Sequence, residues 1–163
     1  MPRIINMSTA TVPWVITALL SLAPLAGQGA PVADDAKIAA VISRYEEALN
    51  ASSTDQAMTL YAEDGVLMPP YAASVAGKAQ LRQTYEAGSK VFALHVKFTV
   101  QEIARVSPEW AFVRTNSIGT MKIVATGVSN PEANQELFIL HKDDRGDWKI
   151  ARYSFSSTIP PHP

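Results

Sequence analysis

The chain has 163 residues, 47% of them hydrophobic, which suffices for one domain with its own core. A formal net charge of -1 argues against nucleic acid as a partner, which favours a strongly basic face. There is no cysteine, so disulfides, a thiolate nucleophile and zinc–sulfur sites are excluded.

Residues 1–33 read as a leader. Arg3 gives a weakly positive start, the stretch 12–26 is apolar apart from Thr17, Ser21 and two prolines, and Ala26, Gly27, Gly29 and Ala30 are small. That layout suits a secretory signal peptide cut between positions 29 and 33, and hence a secreted or extracytoplasmic protein with no stable membrane partner. A retained anchor and a disordered extension are the other readings. The apolar run is shorter than the roughly 20 residues a membrane-spanning helix needs.

The domain spans residues 34–158. Asp34 or Asp35 is expected to cap a first helix, with Ile38, Val41, Ile42, Tyr45 and Leu49 on one face. Ser53 and Gln56 form the capping pattern of a second helix, whose apolar face is Ala57, Leu60 and Tyr61. Asp64-Gly65 signals a turn, and a short strand over 66–68 stops at Pro69-Pro70. Gly77 opens a third helix aligning Leu81 with Tyr85, and Gly88 is expected to end it.

Beyond Gly88 the period changes to alternation. Strands are expected over 94–103, with Val96, Phe98 and Val100 on one face, and over 110–124, 136–142 and 148–157. Turns fall at Ser107-Pro108-Glu109, at Asn130-Pro131 and across 143–147, and residues 159–163 form a proline-rich tail. Helices followed by antiparallel strands define an α+β domain.

Residues 45–50, 60–70, 77–85, 110–114 and the run Gly146-Asp147-Trp148-Lys149-Ile150-Ala151-Arg152 carry a family signal. Over about residues 36–161 the chain resembles the nuclear transport factor 2-like superfamily, which includes ketosteroid isomerase and the SnoaL-like cyclases, and most of all the small SgcJ/EcaC-type proteins. The resemblance implies a cone-shaped, curved antiparallel sheet packed on three N-terminal helices, of the cystatin-like type. It also implies a pocket on the concave face, a homodimer through the other face, and no cofactor. The fold hosts enzymes and non-catalytic association domains alike, so function rests on the site.

In ketosteroid isomerase a carboxylate beside the first short strand takes a proton next to a carbonyl, and a tyrosine and a protonated aspartic acid stabilise the enolate. The resemblance carries the base position onto Met68, which cannot take a proton, the tyrosine onto Tyr45 or one position away, and the acid onto Gln135 or Glu136. Glu136 runs into apolar Leu137-Phe138-Ile139-Leu140. Pointing inward, it becomes an acid or base through desolvation; otherwise it is a rim carboxylate or the partner of Arg152 or Arg114.

Arg152 alternates with Trp148, Ile150 and Ser154, which suits either an anionic ligand or an ion pair with Glu136 or Glu86. Asn116, alternating with Trp110, Phe112, Arg114 and Ile118, is either a pocket group or a cross-strand partner. Tyr45, Tyr61, Tyr71 and Tyr85, with Met68, supply an aromatic wall suited to a small hydrophobic or polycyclic molecule. His95, His141 and His162 have no metal-ligand spacing, and the acidic run 143–147 lacks the spacing of a calcium loop. Asn50-Ala51-Ser52 matches a glycosylation acceptor. Two functions follow as expectations. One is a cofactor-free isomerase, cyclase or dehydratase acting on a carbonyl compound through Glu136 and Tyr45, with Asn116 and Arg152 binding. The other is a non-catalytic ligand-binding or association domain.

Overall fold

The helical spacing of the first half becomes three helices laid against one sheet in a computed structural model that describes residues 29–160. The leader up to residue 28 and the last three residues of the tail, His162 among them, lie outside the described residues. Helix α1 (Gly29–Asn50) buries Ile38, Val41, Ile42, Tyr45 and Ala48 along the predicted face. It starts upstream of Asp34 and Asp35, so neither caps it. Instead the Asp34 carboxylate accepts bonds from Lys142 Nζ at 2.8 Å and Trp148 Nε1 at 3.4 Å, which tie the helix to the far hairpin. Among the described residues, no helix is long and apolar enough to cross a membrane.

Helix α2 (Thr54–Leu60) carries the expected cap, Ser53 Oγ accepting from the Gln56 N–H at 3.4 Å. Tyr61 does not complete its face but opens strand β1 (Tyr61–Met68), which runs through Asp64-Gly65 rather than turning there. The pairing register shifts between Tyr61 and Val66, and a Cβ at Gly65 would lie 2.8 Å from the Tyr61 ring. Glycine thus lets the kinked strand cross its own tyrosine. A two-residue strand β2 (Val75–Ala76), not foreseen, pairs with β1. Helix α3 (Lys78–Val91) opens after Gly77 as predicted, but passes Gly88, whose bare Cα packs on the Phe92 ring.

Strands β3 (Phe92–Arg105), β4 (Trp110–Ile123), β5 (Ser129–Lys142) and β6 (Trp148–Ser157) complete a six-stranded sheet ordered β2-β1-β6-β5-β4-β3. The sheet is mixed rather than wholly antiparallel, because β1 joins β6 in parallel. Strand β5 begins well before Glu136 and passes through Asn130-Pro131. Pro131 pairs with Thr120 beyond the last β6 partner, Asn134↔Ser157, so its missing N–H interrupts no second ladder. The hairpin before β6 forms as expected, with Asp143 Oδ1 accepting from the N–H groups of Arg145 at 3.0 Å and Asp147 at 2.9 Å.

Two devices bend and finish the sheet. At Gly119 an added Cβ would stand 2.0 Å from the His95 carbonyl oxygen and 2.7 Å from Val96 Cα, so only glycine lets β4 curl this closely over β3. At the open edge of β3, Asn50 donates to the Val96 carbonyl and accepts from its N–H, both at 2.8 Å, while Glu46 accepts from the Phe98 N–H at 2.7 Å. Side chains of α1 thereby occupy backbone groups that an edge strand would otherwise expose. The Asn50 amide of the glycosylation triplet is therefore engaged inside the fold.

Candidate functional site

Inward residues of β3, β4, β5 and β6 alternate onto the concave face, and α1 and α3 close over them. Between the layers lies a cavity of about 210 Å³, lined by side chains that include Tyr45, Leu67, Tyr85, Phe98, Ser117, Glu136, Tyr153 and Phe155. A cavity of roughly 150 Å³ accepts benzene, so this space has room for at least one substituted ring.

Glu136 sits on the inner face of β5 and is 5% exposed. Its two carboxylate oxygens accept hydrogen bonds from Thr115 Oγ1 at 2.6 Å and Ser117 Oγ at 2.5 Å. Both hydroxyls lie on the neighbouring strand β4, where Thr115 stands opposite Glu136. No cationic side chain among the described residues lies within 4.0 Å of this carboxylate. Burial raises its pKa above the ordinary glutamate value, the two hydroxyls offset part of that rise, and the negative charge of Glu132 adds to it.

Three phenols meet on the helical side. Tyr85 OH bonds to Tyr61 OH at 2.9 Å and to Tyr45 OH at short range. Burial pushes the phenols of Tyr45 and Tyr61 well above their usual range and that of Tyr85 up to about 12, so all three keep their protons at neutral pH. Two mutual bonds use two of the three hydroxyl hydrogens. Tyr45 and Tyr85 line the cavity with Tyr61 behind them, so the cluster presents phenolic hydroxyls to a ligand oxygen. The Tyr45 ring also meets Phe138 and Tyr153 edge-on, at 5.6 and 5.3 Å between centroids.

Of the predicted residues, the structure brings Tyr45, Tyr85 and Glu136 to one interior, with Tyr61 behind them. The others lie elsewhere. Tyr71 projects fully into solvent, on a backbone with φ of 60°. Met68 falls on the opposite face of β1 from Leu67, which takes the place at the cavity. Asn116 is exposed on the convex face with Arg114, which pairs with Glu102 at 2.7 Å. Arg152 and Ser154 also face outward, because Ala151 is an extra residue in β6: Leu140 pairs with Ile150 and Ile139 with Arg152. This bulge reverses the alternation, turning Tyr153 and Phe155 inward and sending Arg152 to the Asp64 carboxylate at 3.5 Å.

Glu132, Asn134 and Ser117 also line the cavity and were not singled out from the sequence. Asn134 donates to the Glu132 carboxylate at 2.9 Å. Their signal was present, since Glu132, Asn134, Glu136, Phe138 and Leu140 continue one two-residue period, but Pro131 disguised it as a loop.

Residues 42–153 match the SnoaL-like domain. A ketosteroid isomerase-like protein from Erwinia carotovora atroseptica is similar in structure at 36% identity, with a TM-score of 0.74 over 77% of this chain and 96% of that one. A conserved protein from Planctomyces limnophilus aligns at 23% identity and a TM-score of 0.69, over 77% of this chain and 98% of that one. A hexachlorocyclohexane dehydrochlorinase aligns at 12% identity and a TM-score of 0.73, over 80% of this chain and 88% of its own; these two show the shared fold alone. No match was found among curated proteins. With its matched domain, mixed curved sheet and helix-covered hollow, the chain belongs to the SnoaL-like domain family of the nuclear transport factor 2-like, ketosteroid isomerase-like fold.

Proposed function

We propose that this protein is a cofactor-free enzyme moving protons on a small hydrophobic carbonyl compound, in an isomerisation, cyclisation or dehydration. The observation that carries this reading is the Glu136 carboxyl, sealed in a largely apolar cavity without a cationic partner among the described residues. Ionised Glu136 removes a proton from the carbon beside the carbonyl, forming an O–H bond on the carboxyl as the C–H bond breaks. The electron pair passes to the carbonyl oxygen as an enolate. The phenol pair Tyr45 and Tyr85 at the cavity wall, backed by Tyr61, donates a hydrogen bond to that oxygen. Protonated Glu136 then returns the proton to another carbon, or to a departing hydroxyl that leaves as water. Thr115 and Ser117 hold the carboxyl in place, and its raised pKa brings it closer to the acid–base balance that proton transfer favours.

Exchange of α-protons of single-ring ketones such as acetophenone in heavy water, followed by NMR, tests the reading. Glu136→Gln should slow exchange by about a hundredfold or more while ketone binding persists. Unchanged exchange in that variant would leave a non-catalytic binding domain as the function. On the convex face, Ile118 and Leu137 are 67% and 42% exposed, which supports a homodimer through the sheet.

A further inference from the structure

The cavity's charge inventory is one-sided. Among its lining residues there is no lysine, arginine or histidine, and the two charged side chains are both carboxylates, Glu132 and Glu136. Glu136 is deep, and its oxygens are held by Thr115 and Ser117. Glu132 is only half-buried, and also lines the surface groove beside the cavity, so it stands at the mouth. Its one side-chain partner among the described residues is the neutral amide of Asn134. Lys97, the lysine lining that groove, is engaged by Glu46 at 3.0 Å.

An anion entering this space would lose water and meet two carboxylates, with neutral hydroxyl and amide groups but no lysine, arginine or histidine among the lining residues to offset their repulsion. A cation meets the reverse. The carboxylates attract it, and the aromatic side chains of Tyr85, Phe98, Tyr153 and Phe155 line the wall beside them. The rest of the wall is mainly apolar and takes a hydrophobic body.

We propose that the ligand is a small hydrophobic amine, its single ring seated among Tyr85, Phe98 and Tyr153 and its ammonium group bound by Glu132 at the mouth. This rests on the cavity being a ligand site, as proposed above, and narrows the substrate to carbonyl compounds that also carry a basic nitrogen. Glu132 is then the residue that sets specificity, while Glu136 stays free to handle the proton.

Three probes of matched shape, phenethylamine as its ammonium ion, phenethyl alcohol and phenylacetate, are titrated into the full-length protein at neutral pH by calorimetry and NMR. The ammonium ion is expected to bind about tenfold more tightly than the alcohol, with phenylacetate weakest. Glu132→Gln should bring the ammonium ion's affinity down to that of the alcohol. Glu132→Lys should reverse the order in favour of phenylacetate, with circular dichroism verifying that both variants fold. If the alcohol binds and the ammonium ion does no better, or if its advantage survives Glu132→Gln, amine selection is overturned while the ligand cavity stands. If none of the three binds, both readings fall together.

Discussion

Replacing Gly119 by alanine should test how the sheet is bent around the cavity. The added Cβ would stand 2.0 Å from the His95 carbonyl oxygen, 2.7 Å from Val96 Cα and 2.9 Å from the His95 carbonyl carbon. All three atoms are backbone, so no side chain can swing aside. The strands must part by about 1.5 Å or more at the Val96↔Gly119 pair to restore ordinary contact. Overpacking of this kind costs about 1–3 kcal/mol, and a clash with backbone places the variant at the upper end. For a domain of this size about 3 kcal/mol lowers Tm by roughly 10 °C. Leu94, Val96 and Met121, flanking the pinch, line the cavity, so binding of phenethyl alcohol should weaken as well. Thermal unfolding by circular dichroism and calorimetric titration read the two effects. A Tm within about 1 °C of the parent protein would refute the close approach of β4 to β3.

Asn50→Ala removes both side-chain bonds to Val96 and should cost about 2 kcal/mol in urea unfolding, with no change in cavity chemistry. Arg152→Ala should change stability by less than about 1 kcal/mol and leave ligand binding intact, since the guanidinium serves a partly exposed pair with Asp64 on the outer face; a loss of binding would put it back in the site. Glu136 binds its proton more tightly folded than unfolded, so its contribution to stability is fully present below the ordinary glutamate pKa and is lost as pH rises through the folded pKa. The fall in urea-unfolding free energy over that window should flatten in Glu136→Gln, and an unchanged slope would contradict the burial.

Periodicity carried most of the fold. The buried face of α1 and the Ser53 cap were legible because a helix of about 3.6 residues per turn and an orphan N–H leave marks within a few neighbouring residues. The reversal at Ala151 was not, because a bulge depends on pairing with β5 and leaves no local trace; it inverted the reading of Arg152 and Ser154 and hid Tyr153 and Phe155. Pro131 had a similar effect upstream. Proline is disfavoured within a sheet, but this one sits where β5 has a single neighbour, and that is a property of the strand order. Glu136 was legible as a candidate, but its apolar downstream run left an inward carboxyl and a rim or paired one as alternatives; its burial and its hydroxyl partners Thr115 and Ser117 emerge only from cross-strand register.

Carboxyl-carbon NMR on protein labelled at glutamate, with Glu136→Gln to assign the signal, follows the central group itself. Glu136 should titrate at higher pH than the exposed glutamates, and its resonance should move when phenethyl alcohol fills the cavity. A Glu136 signal that titrates among the surface glutamates and ignores the ligand would contradict a buried acid–base group facing a binding cavity.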